Sequence, residues 1–299
     1  MVRKKILIIE SSGLDRSKIN FIKKKFKKLK IISCKDELNS ILNLVDEVNA
    51  IINLPRRFLS KNLIKKANSL QWLHCGGAGV EEYLIPDMVN SYIILTNGKI
   101  LQGPEVSDHA IALLLSISRN ISQYLKIKNV RKLSRPIELR GKQCLIFGLG
   151  GIGILIAEKL KAFGMYTVGV SLEIIPNFSF IDEKYLFHDG NFIKKIKSSD
   201  VIICAAPLTN YTKKYFNNDF FKLMKKNSIF INISRGKLVN TNDLVKFIKK
   251  GAFLGVGLDV TDPEPLDKNH FLNKSNKVLL TPHMAGPSDH NRKRSFDLI

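Results

Sequence analysis

Three ionisable residues in the second half of the 299-residue chain stand in short, ordered motifs. Arg235 lies in Ser234-Arg235-Gly236, Glu264 in Asp262-Pro263-Glu264-Pro265-Leu266, and His283 in Thr281-Pro282-His283-Met284-Ala285-Gly286. A guanidinium can hold a carboxylate in a fork and polarise the carbonyl beside it. A histidine gives and takes a proton near neutral pH, and a neighbouring carboxylate holds its ring in place. The two prolines flanking Glu264 restrict its backbone. Taken singly, the three read as readily as a surface arginine, a loop carboxylate and a surface histidine. Taken together at the ends of strand-like runs, they read as a site for hydride transfer to a 2-keto acid.

Hydride transfer needs a carrier, and one motif offers to hold it. Gly148-Leu149-Gly150-Gly151-Ile152-Gly153 follows an apolar strand, Gln143–Phe147, and opens a helical pattern over Ile152–Phe163. In that setting Gly148 permits the tight turn, Gly150 lets a pyrophosphate approach the backbone, and Gly153 packs helix on strand. Gly151 and Ile152 add their amides and the positive end of the helix dipole. The residue that reads the adenosine ribose belongs at the end of the next strand, Thr167–Val170. That residue is Ser171, which can donate to a 2′-phosphate and does not repel it, whereas the nearby Glu173 could reach ribose hydroxyls instead. The cofactor is NADP or NAD, with NADP favoured.

Positioning such a site requires alternating strands and helices. In the first third, runs at Lys5–Ile9, Ile31–Ser33, Ala50–Asn53, Trp72–Cys75 and Ile93–Thr96 read as strands. Asp15–Lys28, Asp36–Val45 and Leu59–Ala67 between them read as helices. A long helix with Pro104 near its first turn follows, apolar on several faces from Val106 to Ile117, as expected at a domain or subunit interface. Later strands are expected at Val201–Ala205, Ser228–Ile233, Gly255–Asp259 and Val278–Leu280. The fold class is α/β, with two Rossmann-like domains, doubly wound parallel sheets and an active-site cleft between them. Residues 1–98, joined by 287–299, form the expected substrate domain, and 99–286 the dinucleotide-binding domain.

Bulk properties narrow the classes. A composition that is 44% hydrophobic and 25% charged suits a globular chain rather than a disordered one. No run is long and apolar enough to span a bilayer. The apolar run Ile6–Ile9 is too short for a signal peptide. Cys34, Cys75, Cys144 and Cys204 lack paired spacing, which argues against disulfides or a zinc site and fits the cytoplasm. The net charge of +22 invites a nucleic-acid reading. In the densest run, Lys23–Lys30, however, the lysines form the solvated face of a helix whose apolar positions are Ile19, Ile22, Phe26 and Leu29. The other lysines are dispersed, so neither a specific nucleic-acid partner nor a membrane partner is expected.

The motif train resembles the D-isomer-specific 2-hydroxyacid dehydrogenase family, most of all its glyoxylate/hydroxypyruvate reductase branch. Glu138-Leu139-Arg140-Gly141-Lys142, Ser199-Asp200-Val201, Pro207-Leu208-Thr209 and Leu258-Asp259-Val260 extend the likeness over nearly the whole chain. The resemblance implies that Arg235 binds and polarises the substrate, that His283 is the acid/base and that Glu264 pairs with it. It places Asp259 near the nicotinamide and Pro207, Ile233 and Gly286 in the cofactor site. It also implies that Gly77, Ala78 and Gly79 bind the substrate carboxylate through backbone amides, which suits glycines in an anion nest. The partners implied are a small 2-keto or 2-hydroxy acid and a second copy of the chain. The long apolar helix and the basic stretch Lys126–Arg135 also suggest a homodimer. Asp108 stands where the family usually has a glutamate. The helix that begins near Asp289 is expected to continue beyond Ile299 into a segment returning to the first domain. His74 could contact substrate but reads better as structural, and His109 as a core or interface residue. The alternative is an NAD(P)-sensing protein like the C-terminal-binding-protein corepressors, with little turnover.

Overall fold

The computed structural model describes residues 3–11, 13–99, 101–125 and 135–298. Contacts divide the chain into two units, Met1–Gln102 with Ser288–Ile299, and Gly103–Pro287. The sequence reading placed this first boundary between residues 98 and 99. Leu101 stays with the first unit because its amide bonds Gly98 O at 3.1 Å and its carbonyl accepts Arg294 Nε at 2.9 Å.

The first unit is a five-stranded parallel sheet in the order β2-β1-β3-β4-β5. Its strands are β1 (Lys5–Ile9), β2 (Lys30–Cys34), β3 (Ala50–Ile52), β4 (Trp72–Cys75) and β5 (Ile94–Asn97). The lysine-rich helix runs Arg16–Lys25, capped by Asp15, and buries Ile19 and Ile22 while its lysines after residue 22 face solvent. It stops before Lys27, shorter than expected, because Phe26 leaves helical geometry and remains exposed. The helix expected over Asp36–Val45 shrinks to Leu38–Leu42 and a 3₁₀ turn at Val45–Glu47, broken where Asn43 caps the first piece. The helix Asn291–Leu298 joins this unit through Phe296, which meets Phe21 with ring centroids 5.9 Å apart.

The second unit is a seven-stranded parallel sheet in the order β12-β11-β10-β9-β6-β7-β8. The strands are β6 (Gln143–Phe147), β7 (Tyr166–Ser171), β8 (Glu183–Leu186), β9 (Val201–Cys204), β10 (Ser228–Asn232), β11 (Phe253–Leu258) and β12 (Val278–Leu280). Read from its own first strand, this is the Rossmann order with a seventh strand, and its chain reversal lies between β6 and β9. The sheet needs core on both faces, and β9 and β10 are buried along their whole lengths. One face carries an aromatic cluster that includes Phe147, Phe216, Phe220, Phe221 and Phe230. The other takes the long helix, Gly103–Ser118. That helix lies close because β11 offers glycines: a Cβ at Gly255 would stand 2.5 Å from Ile117, and one at Gly257 would stand 3.2 Å from Leu113. Its apolar residues thus enter the unit's own core. The other ground for a homodimer, Lys126–Arg135, lies outside the described residues except for Arg135.

β8 is an addition to the expected strands. Glu183-Lys184-Tyr185-Leu186 has no apolar run, since it is an edge strand of intermediate burial held by side-chain bonds. Among the described residues all four cysteines are free, no cluster of His, Cys, Asp or Glu could hold a metal, and no helix is long and apolar enough to cross a membrane.

Candidate active site at the carboxyl edge of the second sheet

Every strand pairing in the second sheet is parallel, so the carboxyl ends share one edge. The glycine turn leaves β6 there, Ser171 ends β7, and Pro207 follows β9. Ile233 and Arg235 follow β10, Asp259 follows β11, and His283 and Gly286 follow β12.

The glycine turn lies at the β6–β9 reversal. Gly148 has φ +108°, and a Cβ there would stand 2.6 Å from the Ala206 backbone, so only glycine fits. A Cβ on Gly153 would stand 1.9 Å from Gly148 O, which explains how the helix Gly151–Ala162 approaches β6 so closely. Gly150 and Gly151 have no atom within 4 Å of a notional Cβ, leaving open space over the turn. The first hydrogen bond of the helix runs from Ile154 N to Gly150 O, and Gly150 supplies no side-chain cap. The amides of Gly151, Ile152 and Gly153 therefore have no partner within the helix. An open approach, a bare helix start and small residues fit a pyrophosphate, and these residues would hold it. Ser171 departs from expectation in one respect: its hydroxyl donates to Glu173 O at 2.6 Å, within its own turn. The Pro207 carbonyl accepts Thr212 Oγ1 at 2.7 Å, which folds the loop after β9.

The three ionisable residues are built by their loops. Buried Asn232 shapes the Arg235 turn, donating from Nδ2 to Arg235 O at 2.9 Å and accepting Ser234 N on Oδ1 at 3.0 Å. Ile233 is buried there. The guanidinium of Arg235 bonds Ser234 O at 2.8 Å. Gly236 then lets this turn press on the next loop, since a Cβ would lie 1.9 Å from Thr261 O. In that loop Glu264 Oε2 accepts Thr261 N at 3.3 Å, while Glu264 Oε1 meets His283 Nδ1 at 2.6 Å. Both partners of this pair are roughly half-exposed. The structure thus joins Glu264 to His283 directly and sets the Arg235 turn against the Glu264 loop.

His283 sits at φ +54°, in the left-handed region. Asp259 anchors that bend. Its carboxylate, 1% exposed, accepts Met284 N at 2.9 Å, Ala285 N at 3.0 Å and the Thr281 hydroxyl at 2.6 Å. Its backbone carbonyl accepts His283 N at 2.8 Å. Sequence reasoning missed Asn232 and Thr281 as site-building residues. It also missed His109, which reaches Thr281 Oγ1 at 2.9 Å. Gly286, half-buried, closes the segment.

The glycine loop after β4 belongs to the first unit and is ordered by β5. Asn97 Nδ2 donates to Ala78 O at 2.6 Å, and Gly98 N donates to Gly77 O at 3.0 Å. A planar trans peptide carries its N–H opposite its C=O. With both carbonyls turned to the end of β5, the amides of Ala78 and Gly79 face the other way. Gly77 itself is exposed. His74 is buried against Thr96 at 2.9 Å, and burial lowers its pKa, which suits a structural residue.

Comparison with known proteins identifies the family. A family profile described as D-isomer specific 2-hydroxyacid dehydrogenase, NAD binding domain, matches residues 111–285. The chain is 31% identical over 260 residues to glyoxylate reductase of Pyrococcus horikoshii, covering 81% of this chain and 74% of that protein. It is 34% identical over 204 residues to human glyoxylate reductase/hydroxypyruvate reductase, covering 64% of this chain and 59% of that protein. The solved structure of a D-isomer specific 2-hydroxyacid dehydrogenase family protein from Aeromonas salmonicida superposes with a TM-score of 0.82 at 26% identity. That superposition covers 99% of this chain and 93% of the other. The profile spans more than half of the chain, which therefore belongs to the D-isomer specific 2-hydroxyacid dehydrogenase family and is an oxidoreductase that uses a nicotinamide cofactor.

Proposed function

We propose that the protein reduces a small 2-keto acid, of the size of glyoxylate or hydroxypyruvate, to the D-2-hydroxy acid. The observation that carries this reading is the 2.6 Å bond between His283 Nδ1 and Glu264 Oε1, on the sheet edge that also bears Arg235 and the glycine turn. The names of the similar reductases support the substrate class. Arg235 grips the carboxylate and polarises the keto oxygen, and the amides of the Gly77, Ala78 and Gly79 loop suit an anion such as a substrate carboxylate. With Nδ1 held by Glu264, Nε2 is the nitrogen of His283 that carries the proton to the developing alkoxide. The reduced nicotinamide, when bound, supplies the hydride.

The dinucleotide residues are Gly148, Gly150, Gly151, Ile152, Gly153 and Ser171, with Pro207, Ile233, Asp259, His283 and Gly286 at the same edge. Ser171 by its type favours NADP. Its proton is given to Glu173 O, and the exposed Glu173 carboxylate disfavours a 2′-phosphate, so NAD is the cofactor proposed.

A keto-acid panel assayed with NADH and NADPH tests both statements. The expected result is turnover of two- and three-carbon keto acids, kcat/KM higher with NADH, and loss of turnover in His283→Ala with NADH binding only slightly weakened. Substantial turnover by His283→Ala would remove the acid/base assignment. A higher kcat/KM with NADPH would identify NADP as the cofactor instead. Tight NADH binding without turnover of any keto acid would favour the sensor.

A further inference from the structure

The His283 segment is tied to the long helix by a chain of polar atoms that the reaction itself does not use. Thr281 Oγ1 donates its only proton to Asp259 Oδ1 at 2.6 Å. At its 2.9 Å contact with His109 Nε2, the same oxygen must therefore accept, so His109 carries its proton on Nε2. His109 Nε2 also lies 3.4 Å from Asp259 Oδ1. The relay runs from His109 Nε2–H to the Thr281 hydroxyl and on to the Asp259 carboxylate. That carboxylate receives the Met284 and Ala285 amides, the two that follow His283 in the chain. The origin of the relay is rigid. His109 lies on the helix Gly103–Ser118, where Ala110, Leu113 and Leu114 are buried in the core of the second unit.

We propose that His109 is a positioning residue for His283. It orients the Thr281 hydroxyl, which keeps Asp259 facing the 284–285 amides and so holds the imidazole of His283 at the angle that meets Glu264. Three facts support this. The relay gives the Thr281 hydroxyl proton and both Asp259 carboxylate oxygens a partner. The held residue lies in the left-handed backbone region at φ +54°, where a non-glycine residue needs external support. Asp259 is buried, so a lost donor cannot be replaced cheaply by solvent.

The claim rests on His283 being the acid/base, and the test separates the two. His109→Ala, His109→Gln, Thr281→Val, the double variant His109→Ala/Thr281→Val and His283→Ala are assayed for kcat, KM, NADH affinity and thermal unfolding. Displacing a catalytic group by a fraction of an ångström costs roughly 10- to 100-fold in rate, so His109→Ala should lose that much kcat. Its NADH affinity should stay within about twofold, because His109 is not itself among the dinucleotide residues and the glycine turn that takes the pyrophosphate lies outside the relay. Gln at position 109 keeps an N–H donor and should recover most of the loss. The double variant should be about as slow as the worse single one, since both break one chain. The proposal is overturned by His109→Ala turning over within about twofold of the parent, or by losses that multiply in the double variant. It is equally overturned if kcat, NADH affinity and folded fraction fall together, which is the mark of a purely structural histidine. Rapid turnover by His283→Ala overturns both readings, whereas a fast His109→Ala beside a dead His283→Ala overturns only the positioning.

Discussion

At the scale of single residues, side chains that touch no reactant decide where the reactive ones stand. Asn97 is an instance, because its Nδ2 turns the Ala78 carbonyl toward β5 and so turns the Gly79 amide the other way. Removing it should free that peptide to rotate. Asn97→Ala is expected to raise KM for the keto acid roughly 3- to 10-fold, the worth of about 1 kcal/mol of net hydrogen bonding, with kcat nearly kept. Steady-state kinetics against substrate concentration check it, and an unchanged KM would remove the loop from substrate binding. Arg235, Glu264, His283 and the glycines were legible in the sequence because each is marked by its own neighbours: flanking prolines, a following glycine, a preceding strand. Asn97, Asn232 and Thr281 were not. Their work is to bond backbone or side chains brought close only by folding, and no local spacing announces that.

At the scale of elements, strands built from continuous apolar runs were readable, and β4, β6 and β12 fall where the pattern placed them. β8 escaped because it is held by polar side chains. Glu183 accepts from Tyr166, Tyr185 and Lys195, linking the edge strand to β7 and to the helix Ile193–Ser198. Burial alone would raise the pKa of this carboxyl, but the bonds from Lys195, Tyr185 and Tyr166 outweigh it and lower the value to about 2. A depressed carboxyl pKa stabilises the fold fully above the ordinary value of 4.5, and that contribution fades as pH falls towards about 2. Glu183→Gln should therefore be less stable than the parent at neutral pH, and the gap should narrow below about pH 4. Thermal unfolding measured from neutral to acid pH reads this out. A gap that stayed constant with pH would mean that Glu183 acts through packing alone.

At the scale of the whole molecule, the charge of +22 comes from lysines and arginines dispersed along the whole sequence. Such a field raises the encounter rate with small anions, and salt screens it over about 10 Å at 0.1 M. The expected result is a kcat/KM for the keto acid that falls several-fold between low salt and about 0.3 M, with kcat little changed. A flat profile would show that the excess lysines do not steer substrate. The left-handed bend at His283 has a consequence for the molecule's overall robustness. A non-glycine residue there costs about 1 kcal/mol, which glycine does not incur. His283→Gly should accordingly melt no lower than the parent, and His283→Val distinctly lower, while both should lose turnover if His283 is the acid/base. Heat resistance alone would favour glycine over histidine at this position, so on the proposed reading the histidine trades stability for turnover.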